Sequence, residues 1–216
     1  MPLLEIVSSL AVGGVSLAVL VACLNEAREV LWGGHVVRYL ATALWGLWME
    51  PKLASPAAHT VWRTHAVLSS IDLNRHVNNA VYNSWLDFAR AAFLARLYSS
   101  RDAYNAHPVH NGGVQIYFLR EIKLWTRVAI FTNIHAAGPK WMYLRSVFRS
   151  DAGVVHAVAL TRVVAKHGRG SSAGLRGKTV PPGELVKLLG YSGGLPGGGA
   201  DAASLGALED LLRGVE

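Results

Sequence analysis

The sequence of 216 residues has one cysteine, Cys23, and only 16% of its residues are charged. A single cysteine excludes a disulfide framework and a cysteine-based zinc site. The sequence also lacks a P-loop, a dinucleotide-binding glycine fingerprint and the nucleophile elbow of serine hydrolases. His107 and His110 have no third ligand nearby, so no metal site and no cofactor is predicted. The net charge is +7, but the cations stand singly and no basic-aromatic motif accompanies them, which argues against nucleic-acid binding.

The scarcity of charge is greatest near the N-terminus. Residues 6–24 contain no charged side chain, and as a helix they would extend about 28 Å, close to the ~30 Å hydrocarbon thickness of a bilayer. A cleaved signal peptide would need Lys or Arg ahead of this run, and a mitochondrial presequence would be rich in Arg, whereas the first Arg is Arg28. We therefore expect residues 1–25 to be a retained transmembrane anchor. The mitochondrial inner membrane and the endoplasmic reticulum are the expected locations. Because Arg28 and Arg38 follow the run, the rest of the chain is expected on the cytosolic or matrix side.

Residues 26–55 continue with apolar side chains at helical spacing and are rich in tryptophan. Trp32, Trp45 and Trp48, together with Tyr39, are typical of an amphipathic helix at the level of lipid headgroups. The same pattern fits a helix that packs on the following domain or on a partner, and the sequence leaves both interpretations open. Prolines after residue 50 predict a boundary near residue 55.

Residues 56–168 have the pattern of one α+β domain. Apolar periodicity predicts a long helix over residues 77–98, because its large apolar side chains recur every three or four residues. Alternating apolar and polar residues predict strands before and after this helix, over residues 59–68, 113–120, 126–137, 141–150 and 154–166. One strand, one long helix and then several antiparallel strands indicate a curved antiparallel sheet that covers the helix. Residues 169–216 are predicted to be a glycine-rich extension with short helices, one over residues 181–189 and one after Asp201.

Polar side chains cluster at the predicted start of the long helix. Eight residues contain a carboxylate, an imidazole and three amides, namely Asp72, Asn74, His76, Asn78 and Asn79. Asn78 or Asn79 can cap the helix, whose first N–H groups favour a developing oxyanion. A nearby carboxylate, amide and imidazole can activate water for attack on a thioester carbonyl. Asn and Asp also gather at helix caps for purely local reasons, so the cluster alone leaves a structural role open.

The run D-L-N-R-H-V-N-N-A-V-Y from Asp72 to Tyr82 resembles the signature of the hotdog-fold acyl-CoA and acyl-ACP thioesterases, and it is most similar to the plant-type acyl-ACP enzymes. The layout of the chain also resembles the small membrane-anchored thioesterase-like proteins. This resemblance covers about residues 59–166 and implies a hotdog fold and a homodimer in which each site is completed by the neighbouring subunit. It further implies catalytic roles for Asp72, Asn74 and His76, and substrate-binding roles for Asn78, Asn79 and Tyr82.

One position departs from many bacterial members of this family, which have an additional acid two residues before Asp72. This chain has Ser70 there, and a serine would need a base to replace that acid. Any retained chemistry must then use Asp72 and His76, with Asp87 on the helix as a possible second acid. Two functions follow as alternatives. One is a membrane-anchored thioesterase acting on a fatty acyl-CoA or acyl-ACP, and the other is an inactive hotdog accessory subunit of a mitochondrial membrane complex.

Overall fold

The computed structural model describes residues 37–172 and 174–196. The predicted transmembrane run over residues 6–24 and the predicted helix after Asp201 lie outside these ranges. Within them, no helix is both long enough and apolar enough to cross a membrane. The compact unit that contains the sheet begins at Ala41.

Helices and strands follow one another much as the periodicity predicts. Residues 37–49 are helical and are called α1. The remaining elements are β1 (Thr60–His65), α2 (Asn79–Tyr98), α3 (Arg101–Ala106), β2 (Val109–Phe118), β3 (Arg127–Ala137), β4 (Met142–Ser150), β5 (Val155–Lys166), β6 (Thr179–Val180) and α4 (Pro182–Leu188). The predicted long helix, the short helix after residue 180 and the strands are confirmed. The structure differs at residues 99–111, whose polar, proline-containing sequence predicts a loop, because this segment contains α3 and the first residues of β2.

The strands form one antiparallel sheet in the order β1-β3-β4-β5-β2, and β6 adds to β5. Helix α2 lies along one face of this curled sheet. Strand β3 shows why, because Val128, Ile130 and Ile134 alternate with less buried residues and enter the same clusters as the apolar residues of α2. The α+β arrangement predicted for a hotdog fold is thus confirmed.

The C-terminal end of α2 is packed against several other segments. Phe93 and Leu97 of α2 are fully buried there, beside Leu53 and Leu185. The helix cap donates from Ser99 N–H to the Ala95 carbonyl (2.8 Å). Segments before and after the sheet supply two further donors to the last turn of α2: Leu53 N–H to the Arg96 carbonyl (3.2 Å) and Tyr191 Oη to the Leu97 carbonyl (2.9 Å). Residues after the predicted domain limit of 168 therefore contribute to the core, through β6, α4 and Tyr191.

Helix α1 contacts α2 closely through a glycine. A Cβ atom placed on Gly46 would lie only 2.8 Å from the Cβ of Ala95 on α2. The opposite side of α1 leaves Trp45 (61%) and Trp48 (77%) largely exposed. The helix that the sequence left between two interpretations therefore packs on the domain and also presents tryptophans to solvent.

Candidate active site

A tight turn positions the residues of the Asp72–Tyr82 motif. Ile71 and Val77 form an antiparallel bridge, and Asp72 N–H donates to the His76 carbonyl at 3.0 Å. Arg75 turns the chain with a φ of 64°, a left-handed conformation that few non-glycine residues adopt. Asn74 N–H donates to Asp72 Oδ1 at 2.9 Å, an Asx turn of the kind that aspartate favours. The polar residues of this motif therefore form the hydrogen bonds that hold the hairpin together.

This hairpin brings Asp72 and His76 together. Asp72 Oδ2 lies 3.7 Å from His76 Nδ1, with 21% and 23% of the two side chains exposed. His76 Nδ1 also lies 3.2 Å from the Val77 carbonyl. A proton on Nδ1 can be shared between these two acceptors, which leaves Nε2 as the basic atom of the ring. Asn74, the third predicted catalytic residue, is exposed, and its described bond to Asp72 uses its backbone N–H rather than its side-chain amide.

The start of α2 is capped by Asn78. Its Oδ1 accepts a hydrogen bond from Ala80 N–H at 2.9 Å, and its own N–H donates to the Ser70 carbonyl at 2.9 Å. Asn79 is the first helical residue and is exposed. Of the two asparagines that could cap the helix, the structure therefore selects Asn78, and it leaves the side chain of Asn79 at the surface.

Tyr82 lies one turn into α2 and is buried with 2% of its surface exposed. Its ring meets Phe118 edge-on, with 4.9 Å between centroids, and is tilted against Phe148 at 5.2 Å. Burial, and secondarily the charge of Glu121, raises the pKa of Tyr82 to about 12. Tyr82 therefore keeps its phenolic proton at neutral pH and forms an aromatic wall beside the turn.

The charged group that the sequence prediction missed is Glu121. It lies 45 residues after His76, on the segment between β2 and β3 whose Ile122 carbonyl accepts Val77 N–H at 2.9 Å. Lys123 donates to its carboxylate and, together with the charge of His76, lowers the pKa of Glu121, whereas Asp72 acts in the opposite direction. Glu121 therefore lies close enough to the turn for the charges of His76 and Asp72 to act on its carboxylate. No local motif marks Glu121, so only tertiary contact could reveal it.

A profile of the thioesterase-like superfamily matches residues 67–183, more than half of the chain. The chain belongs to the thioesterase-like superfamily. A probable thioesterase of Saccharomyces cerevisiae is 28% identical over 138 residues, which cover 62% of this chain and 56% of the yeast protein. The match thus spans little more than half the length of that curated relative.

Solved structures share the fold of this superfamily member. The protein SAV2348 of Staphylococcus aureus, solved in complex with CoA, has a TM-score of 0.51 at 15% identity and covers 72% of this chain and 97% of its own. The probable thioesterase YbaW of Escherichia coli has a TM-score of 0.49 at 22% identity and covers 60% of this chain and 95% of its own.

The structure also shows the contacts that Ser70 and Asp87 make in this thioesterase-like chain. Ser70 is 6% exposed, and its carbonyl accepts the N–H of Asn78, the residue that caps α2. Asp87 pairs with Arg90 one turn along α2, and Arg90 Nη1 also donates to Thr161 Oγ1 on β5 at 3.2 Å. The predicted second acid therefore lies in a contact between helix and sheet.

His156 holds the segment that carries Glu121. Its Nδ1 lies 3.0 Å from the Glu121 carbonyl, and its own carbonyl accepts from Leu119 N–H at 2.8 Å and Arg120 N–H at 3.0 Å. A histidine on a strand is expected to have its ring nitrogens satisfied by hydrogen bonds within the sheet. That is true of Nδ1, but the buried Nε2 has no hydrogen-bond partner among the described residues. His156 thus ties β5 to the loop beside the Asp72–His76 turn.

Proposed function

We propose that this protein is a thioesterase that hydrolyses the acyl thioester of a fatty acyl-CoA or acyl-ACP. The observation that carries the proposal is the 3.7 Å approach of Asp72 Oδ2 to His76 Nδ1 at the start of α2. A carboxylate in that position orients the imidazole and stabilises the imidazolium that forms during proton transfer. Membership of the superfamily supports this chemistry and gives no support to the alternative of an inactive accessory subunit.

The proposed reaction is an attack by water. His76 Nε2 takes a proton from water while the water oxygen bonds to the carbonyl carbon of the thioester. The carbonyl oxygen becomes an oxyanion, which the N-terminal end of α2 favours. When the tetrahedral intermediate collapses, the carbon–sulfur bond breaks and the imidazolium returns the proton to the leaving thiolate. The products are a carboxylic acid and a free thiol, and His76 ends neutral.

The remaining predicted residues take binding roles in this proposal. The exposed amides of Asn74 and Asn79 can donate to the carrier arm or to the carbonyl oxygen, and Asn78 fixes the helix start from which the oxyanion is stabilised. Phe118 is exposed and offers an apolar surface for the acyl chain next to the turn, and the buried ring of Tyr82 supports it from behind. A CoA carrier is supported by the CoA that the S. aureus protein of the same fold binds.

We also propose a homodimer held to a membrane. Within the described residues, β2 has a strand partner only on its β5 side, and its Val114 and Phe118 are exposed. A ten-residue edge strand with exposed apolar residues is suited to pairing with a second copy. The charge-free run over residues 6–24 supports a membrane anchor, which fits the inner mitochondrial membrane or the endoplasmic reticulum.

The test is hydrolysis of a chain-length series of acyl-CoAs by the purified full chain, followed as release of free thiol. Asp72→Ala should lower kcat/KM by about a hundredfold or more, in the range that general acid–base groups contribute. Asp102→Ala is the matched control, because Asp102 is an exposed aspartate on α3. Equal rates for the wild type and Asp72→Ala would reject the mechanism, and no hydrolysis of any chain length would favour a role without turnover.

A further inference from the structure

Four large apolar side chains stand exposed on the two loop segments that carry the candidate site. Their exposed fractions are 72% for Leu68, 102% for Leu73, 41% for Leu119 and 66% for Trp125. We call these four residues the apolar rim. Leu73 lies at the tip of the Asp72–His76 turn itself, and its side chain is completely open to solvent. Exposed leucines scattered singly need no explanation, but a group of them around a site does.

Backbone hydrogen bonds hold the two segments of the rim side by side. Ala66 N–H donates to the Thr126 carbonyl and Trp125 N–H donates to the Ala66 carbonyl, both at 2.9 Å. Further along, Val77 N–H donates to the Ile122 carbonyl at 2.9 Å. Both ends of segment 66–77 are therefore bonded to residues 122–126, which places the rim residues of the two segments on neighbouring loops beside the turn.

Trp125 reaches its exposed position through an unusual backbone. Its φ is 65°, in the left-handed region, and the hydrogen bond to Ala66 keeps it there. Glycine and asparagine tolerate this region, whereas a bulky aromatic residue there is an outlier that points to a functional constraint. The fold thus holds an indole in solvent at a conformational cost, directly beside the segment that carries Glu121.

The charges between the rim residues favour an anionic partner. Segments 66–77 and 119–126 contain three cations, Arg75, Arg120 and Lys123, and all three are exposed. Their two acids have partners of their own, because Asp72 faces His76 and Glu121 pairs with Lys123, which leaves Arg75 and Arg120 as the cations that give this surface its positive charge. Exposed leucine, tryptophan and basic side chains together are typical of surfaces that enter the headgroup layer of an anionic bilayer.

We propose that the apolar rim inserts into the surface of an anionic lipid bilayer and turns the Asp72–His76 site toward the membrane. A long-chain acyl thioester carried in the bilayer could then reach the site without its chain crossing water. This substrate route rests on the proposed thioesterase function, whereas the docking of the rim does not. The sequence supports a lipid partner over an acidic carrier protein, because residues 6–24 have the length and composition of a membrane span.

The first test measures the depth of the rim with a fluorophore. The full chain, with Cys23→Ser and Leu73→Cys carrying an environment-sensitive dye, is reconstituted in vesicles of phosphatidylcholine and phosphatidylserine that contain lipids brominated in their acyl chains. Leu188→Cys is the matched control, since Leu188 is 53% exposed on α4. Bromolipid quenching at position 73 and little at position 188 is expected. Absent quenching at position 73, or equal quenching at both positions, overturns the proposal.

The second test separates lipid docking from catalysis. The variant Leu68→Gln, Leu73→Gln, Trp125→Asn keeps the left-handed conformation accessible at position 125. We expect its kcat/KM for vesicle-borne long-chain acyl-CoA to fall about tenfold, because apolar burial in the bilayer is lost, while hydrolysis of a soluble short-chain acyl-CoA is unchanged. Leu188→Gln should change neither rate.

Two outcomes overturn the proposal. One is loss of both activities to the same degree in the rim variant. The other is loss of binding to an acyl carrier protein while turnover of the vesicle-borne substrate stays intact. If the wild type hydrolyses nothing, the proposed function fails and the quenching result alone decides the docking.

Discussion

The two ends of helix α2 differ in how their backbone groups are satisfied. At the C-terminal end, the carbonyls of Arg96 and Leu97 accept from Leu53 and Tyr191, two residues distant in the chain, while the Ala95 carbonyl accepts from the helix cap at Ser99. At the N-terminal end, the described cap is Asn78 alone, which accepts from Ala80 N–H. The end of the helix is thus closed by the fold, whereas its start is closed only by its own first residues and faces the turn of Asp72 and His76.

This difference concerns which residues of the helix are buried and which are open to a substrate. Leu97 at the closed end is fully buried, while Asn79 at the start is exposed. A helix start with unpaired N–H groups favours negative charge, whereas the carbonyl groups at a helix end disfavour it. Packing around Leu97 therefore contributes to stability at the closed end, while the exposed polar residues at the start of α2 remain available to a substrate.

The largest expected effect comes from the closed end. Leu97→Ala removes a fully buried side chain and should lower the free energy of unfolding by about 2–5 kcal/mol, while kcat/KM per folded molecule is unchanged. Urea denaturation and a thiol-release assay measure the two quantities. Leu188→Ala, on an exposed position of α4, should change stability by less than about 0.5 kcal/mol. If both variants were equally stable, the closed end would not be the stabilising end.

A smaller effect is expected at the start of α2 from Glu121→Gln. Its charge and that of His76 act on each other, and Glu121 is exposed and paired with Lys123, so kcat/KM should fall by no more than about fivefold with little change in stability. Because the pKa of Glu121 lies below its ordinary 4.5, the carboxylate is ionised at neutral pH, and the difference from wild type should disappear only on acidification below that value. Glu184→Gln, an exposed glutamate of α4, is the control. Identical pH–rate profiles for wild type and Glu121→Gln would contradict the assignment.

The smallest expected effect comes from Tyr191→Phe. The hydroxyl of Tyr191 donates to the Leu97 carbonyl at 2.9 Å in a buried setting. Removing the hydroxyl leaves that carbonyl unsatisfied, which should lower the free energy of unfolding by about 1 kcal/mol. Thermal unfolding should show a lower Tm than for Tyr117→Phe, since Tyr117 forms its hydroxyl contact with Gln115 on an exposed part of β2. A Tm equal to that of the wild type would indicate that water replaces the lost donor.

The sequence predicted the fold well because periodicity is local. The apolar stripe of α2 and the alternation in β3 both report burial directly, so these elements are confirmed within one or two residues. Helix α3 was missed because its six polar and small residues carry no apolar stripe. Its start depends on a local cap, in which Ser100 accepts from Ala103 N–H, and the polar loop pattern gave no sign of this.

The candidate site could be predicted only where it is contiguous in sequence. Asp72 and His76 stand four residues apart, and a hairpin between them is encoded by aspartate and asparagine. Glu121 comes from another segment, and Asp87 pairs with Arg90 instead of facing the site. Such long-range placements depend on how β2, β3 and α2 pack, which no local pattern contains. The catalytic and binding roles of the predicted residues remain predictions.

The contact between Gly46 and Ala95 has a mechanical consequence. Because the two helices approach until a single added methyl group would lie 2.8 Å from its neighbour, α1 cannot roll about its axis at this point without separating from α2. Residues 41–49 of α1 are therefore held in a fixed position against α2 at this contact. Any side chain larger than a hydrogen atom at position 46 would therefore push these two helices apart and open the packing around Ala95.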